Sequence, residues 1–289
     1  MATVWELDFY SRPILDERQK KRWEILICEG AQSVDEPDQR FRYSKFVSSS
    51  EVNSITLRDA IADALTQAPT PPSRIRFFRY AMQNMIVRAC EELGLPAKIS
   101  RRTLALQQWL EVRQQQVYPQ QPGYQPGGNP SVSRPIEVSK PLPDALQGQQ
   151  WALVTLPAQD FADMDEWPID FGEGFPLALA GIDEKRPIPG FIIFSQRAVP
   201  LAGWMSGLEL AYLKAEGGAP VSAAQLLLET GATDTWILAN LGTAELQAEG
   251  QRFEAAKQAA GGVHFLAVQQ RPEAEQFAGF WLMQERGFG

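Results

Sequence analysis

Two groups of residues in this 289-residue chain could do chemistry. The first is basic. Between Ser73 and Arg102 stand Arg74, Arg76, Arg79, Arg88, Lys98, Arg101 and Arg102, opposed only by Glu91 and Glu92. Guanidinium groups grip phosphate bidentately and stack on bases. Phe77 and Tyr80 beside them are aromatics of the kind on which unpaired bases stack. Arg12, at the end of the first predicted strand, joins the set as a further phosphate ligand. The second group is acidic. Asp8, Glu24 and Glu29 lie on or beside two adjacent predicted strands. Carboxylates on neighbouring strands are how small nucleases hold a divalent metal that activates water. The layout is not far from the restriction-endonuclease core. That core normally carries a lysine two residues beyond the strand glutamate, and here Leu26 stands two beyond Glu24. Asp8 therefore reads better as an acceptor near Arg12 or a turn.

Other chemistries lack their residues. His264 is the chain's single histidine, so no multi-histidine metal site can form. No G-x-S-x-G elbow accompanies it, and it reads as a strand histidine with a satisfied ring. There is no phosphate-binding G-x-x-x-x-G-K-[ST] loop and no G-x-G-x-x-G opening a helix after a strand. Cys28 and Cys90 are isolated thiols, read as small buried hydrophobes rather than a disulfide or zinc ligands. No cofactor and no metal are expected.

The elements that must position these residues follow from periodicity. Strands are predicted at 3–10, 22–28 and 41–47, with the polar Asp16–Lys21 segment as a solvated turn. Asn53 or Ser54 caps a helix to about Thr66, which the Pro69-Thr70-Pro71-Pro72 run stops. Ser73 is a natural cap for a second helix. Ile75, Phe78, Met82, Met85, Ile86, Ala89 and Leu93 recur at helical spacing, and Gly94 and Pro96 end it. On that helix Arg76, Arg79 and Gln83 share the opposite face, and Arg74 and Arg76 sit at its N-terminus, where free N–H groups favour phosphate. A strand at 97–99 and a helix over 103–116 complete the first half. Residues 117–148 hold too much Pro, Gln and Gly to pack and read as an extended linker.

The second half restarts with a strand at 151–156, then an acidic, loop-rich stretch at 160–174. Strands follow at 191–195, 208–213, 224–229 and 235–239, a helix at 244–259, and final strands at 263–268 and 279–283. The fold class is α/β (α+β): an N-terminal domain over 1–118, a linker over 119–148 and a C-terminal domain over 149–289. An echo between Phe9–Trp23 and Phe194–Trp204 suggests that the two domains share a topology.

Composition bounds the partners. The net charge of −8 hides an asymmetry. Residues 1–118 hold 17 Lys and Arg against 15 Asp and Glu, whereas 119–289 hold 10 against 20. Halves of opposite sign suggest a nucleic-acid face on the first and protein partners for the second. No apolar run approaches the roughly 18 residues of a membrane span. The N-terminus has neither signal nor transit character, so a cytoplasmic location is expected.

Blocks distributed along the chain carry a resemblance. They are Trp5–Pro13, Asn53–Leu57, Arg74–Arg79, Pro200–Glu209, Gly261–Ala267 and Gly279–Met283. In this order they resemble the Tab-type RNA-binding proteins of cyanobacteria and chloroplasts, over nearly the whole chain. The resemblance implies an RNA-binding factor without an enzymatic step. It would act on the 5′ leader of photosystem messages, chiefly that of the photosystem I reaction-centre B subunit, together with ribosomal or assembly proteins. The family's terminal Trp-Leu-Leu tripeptide stands here as Trp281-Leu282-Met283, which implies a partner-binding role for Trp281 and Leu282. Two other readings are a metal-dependent nuclease, or an inactive relative of one, using Asp8, Glu24 and Glu29, and an assembly factor that binds no RNA.

Overall fold

The computed structural model describes residues 3–34, 40–126, 138–217 and 223–286. The chain divides into two compact units, of which residues 1–31 and 37–134 form the bulk of the first and 135–286 the bulk of the second. Both are mixed α/β.

The first unit is one five-stranded sheet. β1 (Val4–Leu15), β2 (Lys21–Glu29) and β3 (Arg42–Val47) form an antiparallel meander. β4 (Arg74–Phe77) and β5 (Ala97–Ile99) add parallel strands beyond β1, giving the order β3-β2-β1-β4-β5. Helix α1 (Ser54–Gln67) is capped by Asn53, whose side chain accepts the Thr56 N–H at 2.9 Å. α1 and α2 (Gln83–Glu91) bury an apolar face against Trp5, Leu7, Phe9, Ile25, Ile27, Ile75 and Phe77. Helix α3 (Leu104–Val112) covers part of the other face through Leu106, Trp109 and Leu110.

The long helix expected from Ser73 is not formed. Arg74–Phe77 is a strand, a single 3₁₀ turn follows at Tyr80–Met82, and the helix begins only at Gln83. Arg-Ile-Arg-Phe also alternates with period two, and that alternation wins. Ile75 and Phe77 enter the apolar core while the arginines turn to the opposite face. Pairing with β1 satisfies the segment's backbone and overrides the helical spacing.

Part of the segment read as a linker is packed. Tyr118 is fully buried, Tyr124 bridges Ile14, and Gly123 accepts the Leu15 N–H. A left-handed φ of +80° and contact with the Leu15 carbonyl both require glycine at 123. Residues 127–137 of that segment lie outside the described ones.

The second unit has two sheets. One is ordered β10-β11-β12-β6, from Leu210–Glu216, Gln225–Thr230, Asp234–Asn240 and Lys140–Pro141. The other is β7-β9-β13-β14-β8, from Gln150–Pro157, Pro187–Phe194, Val263–Gln269, Phe277–Gln284 and Ile169–Glu173. Helices α4 (Ala198–Ser206) and α5 (Ala244–Ala259) pack into this core. Its strand order and directions differ from those of the first unit, so the sequence echo marks no shared topology. Phe9–Pro13 runs on within β1, whereas Phe194 ends β9 and Ala198 opens α4.

Trp281 and Leu282, expected at a partner-facing surface, are core residues at 4% and 0% exposure. The backbone of Gly279 lies against the Trp281 indole, where any Cβ would collide. His264 is also fully buried. Its Nε2 accepts the Leu213 N–H at 2.8 Å, which leaves the proton on Nδ1 to donate to the Gly262 carbonyl at 2.8 Å. Both cysteines are buried and free, and burial pushes the Cys90 thiol up to about 12.

Candidate nucleic-acid interface

The face of the first sheet turned toward α3 mixes buried charged residues with an apolar cluster, where the opposite face is apolar. Register explains this. Glu6, Asp8 and Tyr10 of β1 lie opposite Cys28, Leu26 and Glu24 of β2, and Arg76 of β4 lies beside Glu6. Glu6 receives the Leu106 N–H at 2.7 Å and so caps α3 from another element, in place of a local capping side chain.

Beyond it runs a buried chain of ions. Asp8 accepts from Arg79 Nε at 2.6 Å and pairs with Arg12 Nη1 at 2.9 Å. Arg12 reaches across to Glu24 through Nε at 2.9 Å. Glu24 takes two further donors, Arg113 and the Tyr118 hydroxyl, the latter at 2.7 Å. Aromatic rings wall the group. The Arg79 guanidinium lies 3.9 Å from the Tyr10 ring centre, and Arg113 lies 5.4 Å from that of Trp109. Burial alone would raise the Asp8 pKa, but Arg79 and Arg12 outweigh it and hold the carboxyl below its ordinary value. Burial likewise pushes the Tyr118 hydroxyl up.

This arrangement relocates most of the expected phosphate ligands. Arg12, Arg76 and Arg79 are buried, at 3%, 3% and 7% exposure, and Phe77 is wholly in the core. Arg74, Arg101 and Arg102 are half-buried, and each has a partner within the structure. Tyr80 is the exception: its ring is 47% exposed. The helical face that was to carry Arg76 and Arg79 does not exist, because both belong to the β4 strand and the turn that follows it.

The carboxylates do not form the expected trio. Asp8 and Glu24 share a face, but Glu29 pairs with Trp5 in the opposite parity and points to the other side. Arginines occupy Asp8 and Glu24, and Leu26, opposite Asp8, is fully buried among apolar neighbours. Among the described residues no cluster of three or more His, Cys, Asp or Glu is placed to hold a metal ion.

A second basic region went unread. Arg18-Gln19-Lys20-Lys21-Arg22 puts four cations in five residues at the β1–β2 connection. The Asp16 carboxylate shapes this turn by accepting the backbone N–H groups of Arg18 and Lys20 at 2.9 and 2.8 Å. Gln19 takes a left-handed φ of +59°. Arg18, Lys20 and Arg22 line a cleft of about 590 Å³ together with Asp16, Glu17 and Ser48, Ser49 and Ser50, with Leu15 and Pro122 as its apolar wall. Arg22 rests its guanidinium 4.4 Å from the Phe46 ring centre. The four cationic side chains make no ion pair among the described residues. The signal was present in the sequence, since a short Lys/Arg run is itself a nucleic-acid pattern.

The first unit is thus a mixed α/β sheet module whose inward charges are spent on one another and whose β1–β2 connection carries cations outside any ion pair among the described residues. The comparisons with known proteins give this class its family. The family model described as RNA-binding protein Tab2/Atab2 N terminal matches residues 4–113, and that described as RNA-binding protein Tab2/Atab2, C-terminal domain matches residues 129–284. The chain belongs to the Tab2/Atab2 family. It is 39% identical over 286 residues to the chloroplastic TAB2 homolog of Zea mays, covering 96% of this chain and 70% of that protein. Its identity to the chloroplastic TAB2 homolog of Arabidopsis thaliana is also 39%, over 96% of this chain and 74% of that protein. No solved structure matches it. No helix among the described residues is long and apolar enough to cross a membrane.

Proposed function

We propose that this protein is an RNA-binding factor that promotes translation of photosystem reaction-centre proteins, chiefly those of photosystem I, by engaging the 5′ leader of their messages. The observation that carries this reading is the match of both halves to the family's two RNA-binding models, over 4–113 and 129–284. The reading assigns no chemical step to the protein. Asp8 and Glu24 serve as buried counter-ions, which organise the sheet face rather than a reaction centre. Arg74, Arg101, Arg102 and Tyr80 keep solvent access and join the RNA surface of the first unit. The second half, with 20 acidic against 10 basic residues from 119 onward, suits ribosomal or assembly proteins better than a polyanion. The protein works in the cytoplasm, peripheral to the photosynthetic membranes.

The test is a deletion strain examined by short isotopic pulse-labelling and by message abundance. This function predicts reduced label in the photosystem I reaction-centre B subunit with its message still present. Normal labelling followed by rapid loss of the new subunit would transfer the function to assembly and overturn the translational role.

A further inference from the structure

We propose that the cleft between the β1–β2 hairpin tip and the Ser48–Ser50 segment is where the sugar-phosphate backbone of single-stranded RNA binds; the assignment rests on the RNA-binding reading above. Three independent observations meet there. The first is charge that has nowhere else to go. Arg18, Lys20 and Arg22 line the cleft, Lys21 flanks it, and none of the four has an ion-pair partner among the described residues. By contrast, Arg12 and Arg79 are bound to carboxylates in the interior. A cation that is already neutralised releases no counter-ion from RNA, whereas an unpaired one does.

The second observation is that, of the two acidic residues in the lining, Asp16 and Glu17, Asp16 is occupied. Asp16 is held by two backbone N–H groups, so it braces the turn that presents Arg18 and Lys20. The third is shape and lining. A volume of about 590 Å³ admits a nucleotide rather than a lone ion, and its wall combines cations and serine hydroxyls with Leu15 and Pro122. The Ser49 hydroxyl can donate to a phosphate oxygen, while those of Ser48 and Ser50 are tied to Glu51 and to each other. Arg22 is held by Phe46, its guanidinium 4.4 Å from the ring centre. Backbone bonds from Leu15 to Gly123 and from Gln125 to Pro13 anchor the wall that carries Pro122, so the cleft is held open by the sheet itself. Contacts of this kind read phosphate and stacking surface, and they place the strand without specifying its sequence.

The experiment uses the full chain and a fluorescently labelled single-stranded 5′ leader of the photosystem I reaction-centre B message, titrated over a range of salt concentrations. The variants are the triple Arg18→Ala/Lys20→Ala/Arg22→Ala and the double Arg18→Glu/Lys20→Glu, which leaves the Arg22–Phe46 contact intact. Both change mainly exposed side chains, and unchanged melting curves check the fold. The expected result is an affinity loss of about tenfold or more. For the triple variant, the slope of log K against log salt should become shallower by about 2, from three lost phosphate contacts at roughly 0.7 each. Wild-type binding with both variants unchanged would overturn the cleft while leaving RNA binding in place. Equal loss of poly-glutamate binding would overturn its assignment to RNA. A wild-type chain that binds no RNA at low salt would overturn the functional reading, and this proposal with it.

Discussion

At the scale of single residues, burial separates the arginines that hold the protein together from those that can hold a ligand. Arg79 and Arg12 share Asp8, and Arg12 and Arg113 share Glu24. The set holds three cations and two anions, so removing Arg79 leaves Asp8 paired with Arg12 but strips its buried Oδ1 of its donor. Arg79→Ala should therefore lower unfolding free energy by about 1–3 kcal/mol, read as a shift in denaturant midpoint. Exposed Arg18→Ala should stay within about 0.5 kcal/mol of wild type. The same cluster sets an acid dependence. Asp8 ionises at a lower pH when folded than when unfolded. Its stabilising contribution is complete above the ordinary aspartate pKa of about 3.9 and is lost as pH falls through the lower folded value. Denaturant midpoints measured down the acid range should fall there, and Asp8→Asn should flatten that part of the curve. A wild-type midpoint independent of pH below 4 would contradict the ion chain. Asp8 was legible as an acceptor beside Arg12 on the same strand, whereas the burial of Arg79 and Arg113 was not, because the carboxylates that claim them, Asp8 and Glu24, lie on other elements.

At the scale of elements, the segment from Ser73 to Leu93 shows where local pattern stops deciding. Ile75 with Phe78 and Met82 fits a helix, and Ile75 with Phe77 fits a strand. Only the open edge of β1, which takes Arg74–Phe77 as a parallel neighbour, selects between them. Elements with strong local signals were legible. The cap at Asn53 holds as a side-chain hydrogen bond, and α5 spans Ala244–Ala259 as expected. Elements with weak local signals were missed. Helix α4 begins within a Pro-containing segment, where Pro200 falls in the first turn and no N–H is lost. β8 lies in the acidic stretch read as loop. The terminal strand β14 carries a prediction of its own. Gly279→Ala would press a methyl group into the Trp281 indole and Ala202, and should cost about 1–3 kcal/mol in thermal or denaturant unfolding. Trp281→Ala should cost about 3–5 kcal/mol. Loss of partner binding in a Trp281 variant therefore reports unfolding of the core unless stability is measured alongside.

At the scale of the whole molecule, the chain comprises two α/β units of opposite charge balance, and both belong to one family. The two-part organisation was legible because the Pro, Gln and Gly-rich segment interrupts the pattern of strands and helices. Its packed portion was not, because Tyr118 and Tyr124 find their partners in β2 and β1, Glu24 and Ile14, far back along the chain. The charge asymmetry pointed to the half that holds the run from Arg18 to Arg22, read only as a turn, but singled out arginines of which the structure has buried Arg12, Arg76 and Arg79. What makes the molecule a binder in this account is the division of labour between those two sets. The most direct test is ultraviolet crosslinking and immunoprecipitation of the protein from its native cells, with sequencing of the attached RNA. The account predicts enrichment of the 5′ leaders of photosystem I reaction-centre messages, with crosslinked peptides from the first unit. Recovery of photosystem or ribosomal proteins with no RNA above background would contradict it.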